Sequence, residues 1–455
     1  MTSADVLILG GGSGGYACAL RSAELGLSVI LIDKDKLGGT CLHRGCIPTK
    51  ALLHAAEVAD SSRESEKFGV KTTFEGIDMP KVNEYRDGVV ARLYKGLQGL
   101  IKSRDVTFVE GEGKLVGANT VEVNGVIYTG KNVVLATGSY ARSIPGLDIS
   151  GRIMTSDQAL DLDYVPKSVI VLGGGVIGVE FASVWKSFGA DVTVVEGLPH
   201  LVPNEDEAAS KALERAYRKR GINLILGTKF ASATQNDSSV EITLEDGKVL
   251  SAELLLVAVG RGANTANMGY EENNVAMDRG WVVVNERLAT NVPGIFAVGD
   301  ITPGLQLAHR GFQHGIFVAE EIAGMNPIVI ADINIPKVTY CEPEVASVGM
   351  SEVEARAAFG DNVNVYEYNL GGNGKSQILG TAGFIKLVAQ KDGPVVGIHM
   401  VGSRVGEQIG EAQLIVNWEA YPEDVATLIH AHPTQNEAMG EAHLALAGKP
   451  LHSHA

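Results

Sequence analysis

An internal repeat does most to narrow what this chain can fold into. Val6 to Asp33 reads as an apolar strand, a glycine-rich turn, a helix and a second apolar strand closed by an acid, and Ser168 to Glu196 repeats that order. The turns place Gly10, Gly12 and Gly15, then Gly173, Gly175 and Gly178, in G-x-G-x-x-G spacing, and the acids Asp33 and Glu196 each lie 23 residues after the first glycine. Such glycines let the backbone approach a pyrophosphate, the helix start offers it free N–H groups, and the acid accepts from a ribose hydroxyl. One such turn is weak evidence, since glycine-rich turns also arise for steric reasons. Two of equal length imply two dinucleotides in one chain. At the second, Glu196 would repel a 2′-phosphate and Gly197 to His200 supply no arginine, so this copy reads as an NAD site.

With 455 residues the chain must divide into several cores. Gly294 to Asp300 reads as a further buried strand ending in an acid, where an open α/β sheet presents its ligand crevice, and Leu307 to Ala323 has helical pattern. From about Tyr340 short strands around Ser347, Phe384 to Ala389 and Val395 to Met400 give way to helices from Gly402 onward. The expected class is α/β: two Rossmann-like domains plus a C-terminal α+β domain. Punctuation by proline and glycine places the divisions at 1–145, 146–270, 271–336 and 337–455.

A net charge of −16 repels a nucleic-acid backbone, so nucleic acid is not expected as a partner. Apolar stretches such as Val169 to Ala182 are broken by glycines and Glu180, short of the ~20 clean residues a membrane helix needs. The first strand begins close to Met1, which leaves no room for a targeting segment, and a cytoplasmic protein is expected. The four cysteines are too few for a disulfide scaffold, yet Cys41 and Cys46 are neighbours.

Those two sit in Gly38 to Lys50, GGTCLHRGCIPTK, directly after the first repeat. In regular helix their side chains would stand about 140° apart around the axis with about 7.5 Å of rise between them. A disulfide needs Cα atoms within about 7 Å, so the chain must break between them, which Gly45 permits. Helix is expected over Thr49 to Ala59; if the turn is already helical, Cys46 and Lys50 share a face, and the helix start and nearby positive charge would stabilise a thiolate. Cys18 and Cys341 read as small core residues. Near the C-terminus His430 to Glu437 reads HAHPTQNE, with Pro433 suited to a helix's first turn and His432 at its start; a carboxylate on one imidazole nitrogen would leave the other free to accept a thiol proton. Taken alone, His432 is more simply a capping or surface residue. A metal site at His452 and His454 is less economical than a solvated tail, because no further ligand completes it.

The sequence resembles the pyridine nucleotide–disulfide oxidoreductases, and within them the branch that oxidises dihydrolipoamide. The match spans nearly the whole chain: both glycine fingerprints, GGTCLHRGCIPTK, the ATG at Ala136 to Gly138, VGD at Val298 to Asp300, LAH at Leu307 to His309, and HAHPT. The resemblance implies that FAD is held by Gly10, Gly12, Gly15, Asp33, Lys50, Gly113, Thr137, Gly138, Asp300 and Ala308. It implies that NAD is held by Gly173, Gly175, Gly178, Glu196 and Gly260. Cys41 would exchange with the dithiol and Cys46 lie against the flavin as a charge-transfer thiolate, with Lys50 paired to Glu180. His432 and Glu437 would serve the other subunit of a homodimer. A lipoyl-bearing protein and the acyltransferase core of a 2-oxo acid dehydrogenase complex are the implied partners, and no metal is implied.

Three departures from the family pattern stand out. Leu42-His43-Arg44-Gly45 replaces Leu-Asn-Val-Gly and adds a positive charge beside the thiols, Gln435-Asn436 replaces Leu-Ser, and Gly262-Ala263-Asn264 lacks a proline. Glutathione-type and mercuric reductases share the motifs but use NADPH, against which Glu196 argues. The mercuric enzymes also carry C-terminal cysteines, which this tail lacks. A non-catalytic subunit would not need Cys41, Cys46, His432 and Glu437 together. A redox sensor built on the same pair differs only in turnover.

Overall fold

A computed structural model of the chain describes residues 2–452. Both repeats form the expected units. The first strand, Ser3–Leu9, lies parallel between Val29–Asp33 and Val126–Leu135; Thr107–Glu110 extends one edge, and Ile295–Ala297 joins Val126–Leu135 from far along the chain. In the second unit Ser168–Leu172 lies parallel between Asp191–Glu196 and Leu254–Val257, with Asn223–Leu226 and Ile153–Met154 at the edges. Val6, Leu7, Ile8, Val169, Ile170 and Val171 are all buried, as continuous apolar runs in a sheet covered on both faces must be. Each such side chain contributes roughly 1.5–3 kcal/mol of burial energy.

The chain crosses from the first unit to the second and back along one short antiparallel pair, Ser139–Ala141 with Arg261–Ala263. That return crossing corrects the boundary placed at residue 270. Tyr270 is buried in the first unit beside Leu115 and Val121, with its hydroxyl 3.0 Å from Thr137 Oγ1.

The C-terminal domain is a five-stranded antiparallel sheet in the order Lys337–Thr339, Glu344–Gly349, Val395–Gly402, Phe384–Gln390, Val363–Asn369, packed by the helices Val405–Asn417 and Glu437–Leu446. Two local expectations need correction. The helix after Cys46 begins at Cys46 itself and runs to Glu64, since Pro48 falls in the first turn where its missing N–H costs nothing. The last helix begins at Glu437, not at Pro433: Thr434 Oγ1 accepts from Glu437 N at 3.3 Å, and Pro433 follows a cis peptide bond in the preceding loop. No described helix is long and apolar enough to cross a membrane. His452 pairs with Glu441 at 2.9 Å, and His454 lies outside the described residues.

Candidate active site

The two glycine turns are built alike. Gly10 and Gly173 both have φ of +113°, and a Cβ on either would overlap a carbonyl oxygen, of Ala136 at 2.1 Å or Ala258 at 2.3 Å. A Cβ on Gly15 or Gly178 would strike the carbonyl of its own first glycine at 1.7 or 1.9 Å. The middle glycines are open: a Cβ on Gly175 meets nothing within 4 Å, and on Gly12 only Gly39 Cα at 4.0 Å. First and third glycines are therefore filled by protein backbone, while the middle one faces free space at a helix start, the shape a pyrophosphate requires. The acids hold the turns from behind, Asp33 Oδ2 accepting from Gly11 N at 2.5 Å and Glu196 Oε2 from Gly174 N at 2.6 Å.

Cys41 lies in the short helix Gly39–His43 and Cys46 opens the helix Cys46–Glu64, with Arg44 and Gly45 making the break between them. The thiols are inequivalent. Hydrogen bonding to Cys46, then burial and the charge on Cys46, push Cys41 well above an ordinary thiol. The hydrogen bond from Cys41 holds Cys46 below one, and the Lys50 ammonium helps it do so against burial. Lys50 Nζ lies 2.8 Å from each carboxylate oxygen of Glu180, which the second repeat's helix Val176–Phe188 presents to it. Tyr340 completes the arrangement: its N–H donates to Glu180 Oε1 at 3.0 Å and its ring lies 4.9 Å from Lys50 Nζ. Tyr340 stands 160 residues from Glu180, so no local pattern marks it. Arg44 pairs with Asp35 at 3.2 Å, and both side chains are about half exposed.

Thr137, Gly138 and Asp300 gather where the parallel strands of the first sheet end. Thr137 Oγ1 donates to Asn264 O at 2.7 Å, and Asp300 accepts from Ser139 Oγ at 2.6 Å, which in turn accepts from Arg261 Nε at 2.7 Å. Ala308 opens the helix Ala308–Ile322, and just before it Gln306 Nε2 is buried without a partner. Gly113 is buried against Leu9, Ile32 and Val121, and Gly260, with φ of +102°, follows the strand Leu254–Val257. An open middle glycine, free helix N–H groups and an orphaned amide donor fit an FAD along the first sheet; the second turn fits NAD.

His432 Nδ1 donates to Glu437 Oε1 at 2.8 Å, and Thr434 N donates to Glu437 Oε2 at 2.7 Å, so the carboxylate fixes the ring and leaves Nε2 as the acceptor. Burial acts against it, but the bonds from Thr434 and His432 hold Glu437 below the usual carboxylate range. The loop is braced at both ends by residues the sequence did not mark. Glu411 accepts from His430 at 2.7 Å and from Asn436 at 2.5 Å, and Asn373 donates to Thr434 O at 3.0 Å. Asn436 thus has a stated task in place of the usual serine; nothing in the structure explains Gln435. Among the described residues no hydrogen bond within the chain links His432 to either cysteine. Its side chain is 78% exposed, and Leu414, Trp418, Tyr421, Leu428 and Ile429 lie exposed in the same domain.

Comparison with known proteins accounts for that uncovered face. The family described as pyridine nucleotide-disulphide oxidoreductase matches residues 4–315, and its dimerisation domain matches residues 335–443. The chain is 41% identical to dihydrolipoyl dehydrogenase of Bacillus subtilis, over 99% of both chains, and 38% identical to the mitochondrial dihydrolipoyl dehydrogenase 1 of Arabidopsis thaliana, over 98% of this chain and 91% of that one. The crystal structure of LpdA from Mycobacterium tuberculosis superposes with a TM-score of 0.90 at 26% identity, covering 98% of this chain and all of that one. The dimerisation domain supports a homodimer. The protein belongs to the pyridine nucleotide-disulphide oxidoreductase family and is a flavoprotein that uses FAD and NAD.

Proposed function

We propose that the protein is a dihydrolipoyl dehydrogenase, oxidising dihydrolipoyl groups to lipoyl with reduction of NAD. The observation that carries this reading is the placing of Cys41 and Cys46 on either side of the break at Arg44–Gly45, at the end of the first dinucleotide unit and beside the Lys50–Glu180 pair. In the oxidised enzyme the two sulfurs are bonded. His432 of the other subunit takes a proton from one substrate thiol; the resulting thiolate attacks Cys41, the Cys41–Cys46 bond breaks, and Cys46 leaves as a thiolate. The second substrate sulfur displaces Cys41 as its own proton passes to the leaving Cys41 sulfur, so the dithiol is oxidised, the protein disulfide becomes a Cys41 thiol and a Cys46 thiolate, and His432 keeps the first proton. Bound FAD would supply the remaining chemistry, passing to NAD the electron pair released as the Cys41–Cys46 disulfide re-forms and Cys41 loses its proton. Glu437 stabilises the imidazolium, and the Lys50 charge favours Cys46 as the leaving thiolate.

Within this reading Gly10, Gly12, Gly15, Asp33, Gly113, Thr137, Gly138, Asp300 and Ala308 hold FAD, and Gly173, Gly175, Gly178, Glu196 and Gly260 hold NAD. Lipoyl-bearing proteins and the acyltransferase core of a 2-oxo acid dehydrogenase complex are its partners, and its setting is the cytoplasm. The chain divides near 145, at the return crossing Arg261–Ala263 and near 336, so that four segments build three functional bodies. The test is the initial rate of NADH formation from dihydrolipoamide, with NADP and reduced glutathione in parallel. Fast, NAD-selective turnover supports the reading; a protein reducible by NADH yet inert to dihydrolipoamide refutes it.

A further inference from the structure

The loop 197–206, which comes after Glu196, runs directly beneath the second glycine turn. Val202 N donates to Gly174 O at 2.8 Å, and Leu201 packs so closely that a Cβ on Gly174 would lie 2.7 Å from its Cδ2. Gly174 is therefore held from one side by Glu196 and from the other by Val202. The first repeat has the same device: Gly38 N donates to Gly11 O at 2.9 Å, and Leu37 packs against Gly11. In both copies the residue that donates is left-handed, with φ of +102° at Gly38 and +42° at Val202. Glycine adopts that conformation freely, whereas a β-branched residue does so only where its surroundings force it.

The rest of the loop is gripped by another domain. Four residues on, Asp206 is buried, caps the helix Glu207–Lys219 through Ala208 N at 2.9 Å, and accepts from Lys386 Nζ at 2.8 and 3.1 Å and from Glu352 N at 3.1 Å. Lys386 is itself buried in the strand Phe384–Gln390 and pairs also with Glu352 at 2.8 Å. Ser347 donates to Glu205, and Lys337 Nζ donates to Asn204 O at 2.7 Å. Three strands of the dimerisation domain thus grip three consecutive loop residues. A buried ion pair is a poor source of stability, since desolvation offsets most of its attraction; its value lies in fixing geometry.

We propose that Lys386 is a positioning residue for NAD: through Asp206 it holds Val202 left-handed and so sets Gly174 and Glu196 for the dinucleotide. This rests on the reading of the second glycine turn as the NAD site. The test is titration calorimetry of NAD+ against the oxidised, FAD-loaded dimer, together with KM for NAD+ and the rate of flavin reduction by dihydrolipoamide in the absence of NAD+. Lys386→Met is expected to raise the Kd and KM for NAD+ about tenfold, leaving FAD content and dithiol-driven flavin reduction within about twofold of the parent. Adding Val202→Gly should restore binding to within about threefold of the parent, because a glycine needs no clamp. If Lys386→Met does not fold, Ser347→Ala, which removes one of the bonds on Glu205 and leaves its pair with Lys337, should still raise the Kd about threefold. An unchanged Kd, a matching loss in flavin reduction, or failure of Val202→Gly to rescue overturns the proposal. Glu196→Ala separates the two levels: if it too leaves NAD+ binding unchanged, the assignment of the site is at fault, and if it alone weakens binding, only the clamp is wrong.

Discussion

The two glycine turns share geometry to within a few tenths of an ångström in their tightest contacts, yet the chain does different things after each. After Asp33 it passes Leu37 and Gly38 and enters the helix that carries Cys41; after Glu196 it passes Leu201 and Val202 and is anchored to the dimerisation domain at Asp206. Their helices also differ in use. Ser13–Glu24 lies against Ala308–Ile322, where a Cβ on Gly315 would meet Gly14 O at 2.3 Å, whereas Val176–Phe188 lies against Cys46–Glu64 and delivers Glu180 to Lys50. The repeated unit is built alike in both copies; the segment after its closing acid leads to Cys41 in the first and to an anchor on the dimerisation domain in the second. The second unit nevertheless reaches the thiols through Glu180, so it contributes a charge beside Lys50 and Cys46.

That comparison can be broken by experiment. The largest effect is expected at the thiol pair: Cys46→Ser should lower dihydrolipoamide oxidation by roughly a thousandfold or more while FAD stays bound and the long-wavelength absorbance of the reduced enzyme disappears. A surviving band would remove Cys46 from its role. His432→Gln should slow dithiol oxidation by about 10²–10⁴-fold and spare NADH-to-dye transfer. Mixed dimers of Cys46→Ser and His432→Gln chains should regain one working site if the base acts across the interface; inactive mixed dimers would place it in the same subunit.

Smaller effects separate the two acids. Asp33→Ala should weaken FAD retention and Glu196→Ala NAD affinity, each by about tenfold, or ~1.4 kcal/mol. Crossed effects, measured by flavin release and NAD+ titration, would reverse the assignment. In reduced enzyme Lys50→Met removes a charge that lowers the Cys46 thiol, so the pH midpoint of its alkylation by iodoacetamide should rise, by about one unit. A midpoint that stays or falls contradicts the geometry. The smallest effect is expected of Arg44→Ala: its pair with Asp35 is half-exposed, so the alkylation midpoint should stay put and unfolding should change by less than about 1 kcal/mol.

The parallel strands and their cradles were legible because glycine spacing and apolar runs are local. The break at Gly45 was legible because helical geometry forbids joining Cys41 to Cys46. Tyr340 beside Glu180, Glu411 beneath His430 and Lys386 on Asp206 were not, because each contact joins residues remote in sequence and carries no periodicity. Pro433 misled for a related reason: it suits a first helical turn, but here it lies in the preceding loop, and the helix starts at Glu437, whose carboxylate holds His432.

The most direct test of the account is a single turnover under anaerobic conditions, in which the FAD-loaded dimer is reduced by dihydrolipoamide and then mixed with NAD+ or NADP+. The account predicts rapid reduction by the dithiol followed by rapid NADH formation and little NADPH. A flavin that accepts electrons from NADH but not from dihydrolipoamide, or equal reaction with both nucleotides, would contradict it.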